Sequence, residues 1–490
     1  MSRSPGGASH RVTFLVLAVG MTAGALLQSL VIPALATFQE ALDTTQADAT
    51  WILTATLLAA AIGTPIAGRL GDMLGRKQVF VAVLSVTAVG CLLSAVATSL
   101  PLMLAGRVVQ GLGAGVLPLA FGIVRDSFPA ARLAGAISTL ATLAAVGSGA
   151  GVALAGPIEG AFGISGLFWV PLVLLVLAVA AAVLFLPSGG TRAPGGVSWT
   201  AAALLSAWLV CLLLGLSRAP EWGWGSGRVL GLLAGAVLFL ALWLLVESRA
   251  RYPLVDLRMM RLRGVWTANL VGFLAGVGMY ASFAFLPQFL QTPPSAGYGF
   301  GSTVSESGLV MLIQTGSSFV TGLVAGRLAH RISPRSLLLV GVLTGAAGYA
   351  VMSLAHEHFW QACLAVVLIG IGFGGTFAAM ANLVVAAVPP EQTGVASGMN
   401  ANIRTVGGAI GSALMSTVVT ASNGPTGLPA EGGYTTGFGL LALATLAAAA
   451  AALLVPRARR EPVVPRRPEV PTHPQAALVP GGTLAGSGEE

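Results

Sequence analysis

Fourteen stretches of this chain contain no Asp, Glu, Lys or Arg, and their lengths limit the fold more than any other feature. They run 12–39, 49–68, 78–106, 108–124, 133–158, 160–191, 193–217, 229–246, 264–305, 307–326, 336–356, 358–390, 405–430 and 432–456. All but 108–124 reach at least 18 residues; that one is cut short by Arg107, and 405–430 extends back past Arg404 to about Thr393. A helix needs about 20 apolar residues to cross the hydrocarbon of a bilayer. The pattern therefore predicts an all-α integral membrane protein with fourteen transmembrane helices. Charged residues make up 9% of the 490, against about 25% in soluble domains, which excludes a water-soluble enzyme. The runs lack the two-residue alternation of a membrane barrel, and the 65 glycines suit close helix packing in lipid.

A net charge of +8 raises the question of nucleic acid, but topology accounts for it better. With Met1 in the cytoplasm, alternate loops hold 21 of the 25 basic residues on the inside, and only Arg218 and Arg228 fall in an outside loop. That is the positive-inside bias. It predicts both termini in the cytoplasm and a multi-pass protein of the cell's inner (plasma) membrane, with the lipid bilayer as partner and no nucleic acid. Cys91, Cys211 and Cys363 lie in separate spans with no metal-ligand or disulfide spacing, so neither metal nor cofactor is expected. Ala34-Leu35-Ala36 imitates a signal-peptide cleavage site, yet the long run before it and the spans after it favour an uncleaved first helix.

The chain divides into a cytoplasmic tail (1–13), a six-helix bundle (14–186), two inserted helices with a basic linker (187–263), a second six-helix bundle (264–455) and a Pro-, Gly- and Arg-rich tail (456–490) that reads as disordered. The bundles repeat one another. Ala67-Gly68-Arg69-Leu70 returns as Ala325-Gly326-Arg327-Leu328 at an offset of 258, Gly111-x-Gly113-x-Gly115 as Gly370-x-Gly372-x-Gly374 at 259, and Pro129 as Pro390 at 261. Parallel six-helix halves enclosing a midplane site are a secondary-transporter design.

The loop after the second span reads Gly68-Arg69-Leu70-Gly71-Asp72-Met73-Leu74-Gly75-Arg76-Lys77, and its spacing resembles the signature loop of the major facilitator superfamily. Arg107-x-x-Gln110-Gly111 in the fourth span is similar to that family's second motif. Gly147, Gly151, Gly156, Pro157 and Gly160 in the fifth are similar to the motif of its drug exporters. With fourteen spans, the chain up to about Val455 resembles the fourteen-span drug:proton antiporter branch.

The resemblance implies roles. Asp72 would face the positive N-terminus of the thirteenth span, near Gln392-Thr393, and Arg76 would pair with Asp126, closing the cytoplasmic side. On the plainer reading Arg76 and Lys77 only set topology. Arg107 lies about 9 Å into its span after Pro101 and would serve the proton or the cavity, or else hold loop carbonyls. The fifth-span glycines would seal the cavity against leak, or simply pack.

Two departures from the family stand out. Glu159 occupies a position that is usually apolar, and Leu27 stands where the branch carries an Asp in the first span, with Gln28 beside it. Glu159 or Glu306 is then a candidate proton carrier, or coupling differs. Arg404, about eleven residues into the thirteenth span, is the deepest charge, and such charges are functional candidates by default. It would bind an anionic group or a carboxylate such as Glu159 or Glu306. Gln28, Asn269, Gln314, Asn382, Asn400 and Asn402 are polar groups within spans that would line a cavity, though such residues commonly serve as helix–helix glue.

The expected function is export of small amphipathic compounds in exchange for protons by alternating access, by a monomer. The alternatives are transport of a specific, anionic metabolite or lipid, favoured by Arg404 and the missing Asp, and a non-transporting sensor or scaffold. Enzymatic roles fare poorly. The single lysine, Lys77, follows Arg76 and builds no P-loop. Gly147-Ser148-Gly149 has no intramembrane histidine to act as its base.

Overall fold

The structure is a computed structural model, and it describes residues 10–44, 46–187, 196, 198–250, 253–328, 331–421 and 428–456. The expected disordered tail from 456 and the basic residues Arg3, Arg192, Arg251, Arg457, Arg459, Arg460, Arg466 and Arg467 lie almost wholly outside those residues.

The described residues are mainly helical. In order the helices are α1 (His10–Leu30), α2 (Leu35–Ala41), α3 (Gln46–Leu74), α4 (Arg76–Ala95), α5 (Leu100–Leu112), α6 (Val116–Ser127), α7 (Ala130–Phe185), α8 (Trp199–Trp222), α9 (Gly227–Arg249), α10 (Leu257–Met260), α11 (Arg263–Gln291), α12 (Val304–Leu328), α13 (Pro334–Leu354), α14 (Phe359–Ala387), α15 (Thr393–Thr420) and α16 (Glu431–Ala452). Helix is the expected answer for such apolar runs, because in lipid each backbone N–H and C=O must be satisfied within the segment. Among the described residues, twelve helices are long and apolar enough to cross a membrane, with α5 and α6 forming one of them.

Twelve differs from the fourteen expected at two places. First, α7 is 56 residues long, about 84 Å at 1.5 Å per residue, and is interrupted where Gly163 takes φ 70° and ψ −178°. That conformation is open essentially to glycine alone. Both ends of α7 lie at the same end of the bundle: it starts just after Asp126, which pairs with Arg76, and Lys77 reaches the Val183 and Leu186 carbonyls at its far end. The helix therefore doubles back at Gly163, four residues beyond the Glu159 boundary that charge spacing suggested. Second, α15 has the length but not the apolarity, because Asn400, Asn402 and Arg404 interrupt it.

The first-half helices pack α1 on α7, α3 on α5 and α4 on α5 and α7. The second half packs α11 on α15, α12 and α13 on α14, and α13 on α16. The glycine triplets take matching places in the two halves. A Cβ on Gly111 or Gly115 would strike α3, and one on Gly113 would strike α4. Likewise a Cβ on Gly370 or Gly374 would strike α12, and one on Gly372 would strike α13. The halves meet along α7–α12 and α3–α15. The inserted helix α8 packs on α9, α3 and α15. Helix α9 buries only Val229, Ala236, Trp243 and Glu247, a stripe recurring at roughly helical intervals, and leaves the rest of its apolar surface outward.

Candidate functional site

The densest polar cluster sits where α3 ends, α4 begins and α15 starts. Gly75, at φ 114°, turns the chain between α3 and α4, which brings Arg76 back beneath Asp72. Asp72 is fully buried and Arg76 is 2% exposed. Arg76 Nε and Nη2 donate to Asp72 Oδ1 at 3.1 and 2.9 Å, and Nη1 donates to Asp126 Oδ1 at 2.6 Å and to the Gly122 carbonyl at 3.0 Å. Nη2 also donates to the Pro390 carbonyl across the molecule. Asp72 Oδ2 accepts from the Val395 backbone N–H at 3.2 Å, so a carboxylate caps the first turn of α15, where the helix dipole favours negative charge.

Gly68 and Gly394 make this approach possible. A Cβ on either would come within 2.8 Å of the other's backbone. Arg125 completes the seam, donating to Thr393 Oγ1 at 2.7 Å and to the Val388 carbonyl at 2.8 Å. Arg125 and Gly394 carry no sequence signal beyond the family loop; only the fold brings them to it.

From this cluster α3 and α15 stay in contact for about two turns, with Thr64 against Gly398 and Asn402 Nδ2 donating to the Ala61 carbonyl at 2.8 Å. Then they part. Beyond Ala61 the space between α3, α8, α11 and α15 opens into a cavity of about 710 Å³, with Leu57 and Leu58 on one side, Tyr280 and Phe285 on another, and Ser412 and Ser416 on α15. One end of the α3–α15 seam is shut and the other is hollow.

The remaining sequence candidates divide between this hollow and the packing around it. Arg107 is 1% exposed and its Nε donates to the Ile52 carbonyl at 2.9 Å. Its Nη1 donates to Gln110 Oε1 at 2.7 Å, while Gln110 Nε2 reaches Gly90 O and Ser94 Oγ. This ties α3, α4 and α5 together without an acidic partner among the described residues. Arg404 lies 4.9 Å from the Phe377 ring centroid and beside Tyr280, with its Nε lacking a hydrogen-bond partner. Its neighbour Thr405 and Tyr280 both line the cavity.

The expected pairing of Arg404 with Glu159 or Glu306 does not form. Glu306 is exposed at the start of α12 and its carboxylate accepts from Thr303 N and Oγ1 at 2.8 and 3.1 Å, a local helix cap. Glu159 is half-buried within α7. Gly147 and Gly151 lie against Thr22 and Ser29 of α1, whereas Gly156 and Gly160 have no neighbour close enough for a Cβ to meet. Pro157, between them, is exposed.

The neutral polar residues are mostly glue. Asn400 donates to Asn269 Oδ1 at 2.9 Å and Asn382 to Ser138 Oγ at 2.6 Å, across α14 and α7. Gln28 is exposed on α1. Gln314 is buried with both amide atoms unpaired. None of these lines the cavity; Glu221 of α8, which lies between the two arginines that the charge count placed in an outside loop, does.

Comparison with known proteins agrees with this architecture. The family model described as Major Facilitator Superfamily matches residues 17–293 and 268–482. The tetracenomycin C resistance and export protein of Streptomyces glaucescens is 33% identical over 417 residues, 84% of this chain and 76% of its own. The multidrug transporter protein MdtP of Bacillus subtilis is 28% identical over 387 residues, 76% of this chain and 69% of its own. Among solved structures, the human organic anion transporter MFSD10 (TETRAN) superposes with a TM-score of 0.67 at 17% identity, covering 92% of this chain and all of that one; that likeness concerns the fold alone. Matched by the family model along most of its length, the chain belongs to the major facilitator superfamily.

Proposed function

We propose that this protein exports small amphipathic compounds, drugs among them, across the cell's inner (plasma) membrane in exchange for protons, by alternating access. Relatives named for antibiotic export and for multidrug transport support efflux rather than catalysis. The mechanism rests on one observation: α3 and α15 are locked together at the Asp72–Arg76–Val395 end and separated by a cavity at the other. A protein that carries cargo between two sides needs a seam that shuts at one end while it opens at the other.

Fourteen crossings fit this reading. The doubling back of α7 at Gly163 makes two crossings of one helix, and α15 adds another, its polar residues turned toward α3 and α11 through Asn402 and Asn400. The basic loops then put the locked end, with Arg76, Lys77 and Arg125, in the cytoplasm together with both termini, and the cavity faces outward. In that arrangement Asp72, Arg76, Asp126, Gly68 and Gly75 form the cytoplasmic gate and Lys77 anchors the returning end of α7. Gly147 and Gly151 hold α7 to α1. Arg107 with Gln110 braces the cavity helices, and Glu159, with no charged partner among the described residues, is the one of the two expected carriers, Glu159 and Glu306, that remains available to carry protons. An alternative reading is favoured by Arg404, whose unpaired Nε beside the cavity wall suits an anionic substrate.

Flux of a fluorescent drug into inverted membrane vesicles, with and without an imposed pH gradient, tests the proposal. Uptake should collapse with the gradient and fall at least tenfold in Glu159→Gln. Uptake indifferent to the gradient would sink proton exchange, and uptake confined to anionic probes and lost in Arg404→Ala would establish the alternative.

A further inference from the structure

We propose that α8, the first inserted helix, forms a wall of the transport cavity and that Glu221 receives the ammonium group of amphipathic amines there. The direction of transport rests on the export reading above; the site rests on its own contacts. Helix α8 is fastened to both halves of the molecule across the open part of the seam. On the α3 side the Arg218 guanidinium lies 4.8 Å over the Trp51 ring. On the α15 side Trp224, just past the helix, donates from Nε1 to Thr417 Oγ1 at 3.0 Å. Glu221, between these two attachments, and Leu213 and Ser217, just before them, face the cavity.

The ion pair on this wall is asymmetric. Arg218 Nη1 donates to Glu221 Oε2 at 2.5 Å, with side-chain exposures of 6% for the arginine and 50% for the glutamate. The cation is covered and the anion is open, so an entering molecule meets a carboxylate edge. Arginine occupies Oε2; a carboxylate has about four lone-pair sites on its two oxygens, which leaves Oε1 to accept from a second donor. Glu221 is the one formally charged residue among the described lining residues, the others being apolar or hydroxyl-bearing. A space of about 710 Å³ falls within the roughly 300–1,000 Å³ of sites for drug-sized ligands. Hydrocarbon walls, neutral hydroxyls and one accessible carboxylate describe a ring-bearing organic cation.

The test uses full-length protein in lipid nanodiscs and two fluorescent probes, ethidium as a permanent cation and Nile red as a neutral amphiphile. Glu221→Gln should weaken ethidium binding at least tenfold and leave Nile red within twofold. Leu213→Trp, which fills the α8 wall, should weaken both. Ethidium binding unchanged in Glu221→Gln, both probes weakened alike by that change, or no ethidium binding to the wild type would each overturn the proposal. Because binding is read without transport, a protein that binds ethidium through Glu221 but pumps nothing would refute export and leave the site standing.

Discussion

At the scale of single residues, Asp72 is held by two kinds of partner at once. It compensates the Arg76 guanidinium on one side and caps the Val395 N–H on the other. Removing one member of a buried charge pair costs about 3–5 kcal/mol when the survivor is left unpaired; an amide of the same shape gives up the charge and the Arg76 bonds, since its NH2 cannot accept, but keeps the bond to Val395 and leaves Arg76 paired with Asp126. Asp72→Asn should therefore lower drug flux about tenfold or more at unchanged membrane abundance. Asp72→Ala should lower abundance as well, measured as detergent-resistant folded protein. Equal flux in Asp72→Asn and wild type would remove the gating role. Arg76 is less replaceable than its charge suggests, since its planar fork reaches Asp72, Asp126, Gly122 and Pro390 together, which a lysine point charge cannot do.

At the scale of elements, the inserted pair of helices is anchored at both ends. Beside the outer attachments of α8, the far end of α9 carries Glu247, 2% exposed, whose carboxylate accepts from the Val255 backbone N–H. That bond folds the linker back so that Leu254, Val255 and Met259 are buried with Val388, Val395 and Met399 beside the Asp72–Arg76 cluster, and Asp256 Oδ2 accepts from Gln392 Nε2 at 3.4 Å. Leaving a buried backbone donor poorly matched costs about 1–3 kcal/mol. Glu247→Met, which fills the same space without an acceptor oxygen, should release the linker, read as at least fivefold faster maleimide labelling of a cysteine placed at Val255; unchanged labelling would deny the clamp.

Most of these elements could be read in the sequence, because charge-free length is a property of each segment alone. The exceptions share a cause. The turn at Gly163 depends on a dihedral rather than on polarity, so the half-buried Glu159 drew the boundary instead. Glu306 looked like a membrane carboxylate because its cap, Thr303, is uncharged and leaves no mark on a charge count. Glu221 and Arg125 matter through partners on other helices, Trp51 on α3 for the Arg218–Glu221 pair and Thr393 on α15 for Arg125, and no local pattern records those distances.

At the scale of the whole molecule, the seam between α3 and α15 predicts that its two ends cannot be shut together. Cysteines at Thr64 and Gly398, in contact across the locked end, should oxidise to a disulfide that stops transport and releases it on reduction, in a background lacking Cys91, Cys211 and Cys363. Cysteines at Leu57 and Ser416, on opposite walls of the cavity, should cross-link only when the locked end is opened, for example by Asp72→Asn. Simultaneous formation of both bonds in one molecule would rule out a rocking seam.

Lys77, whose ammonium rests on the Val183 and Leu186 carbonyls at 3.0 and 2.6 Å, is the single lysine among 490 residues. Every amine-selective reagent therefore finds one side chain on this protein, without engineering. A fluorophore or isotope tag attached there reports from the junction where α7 returns to α4. Its rate of attachment counts how often that junction frays, which makes the native side chain a clock for motion at the locked end of the bundle.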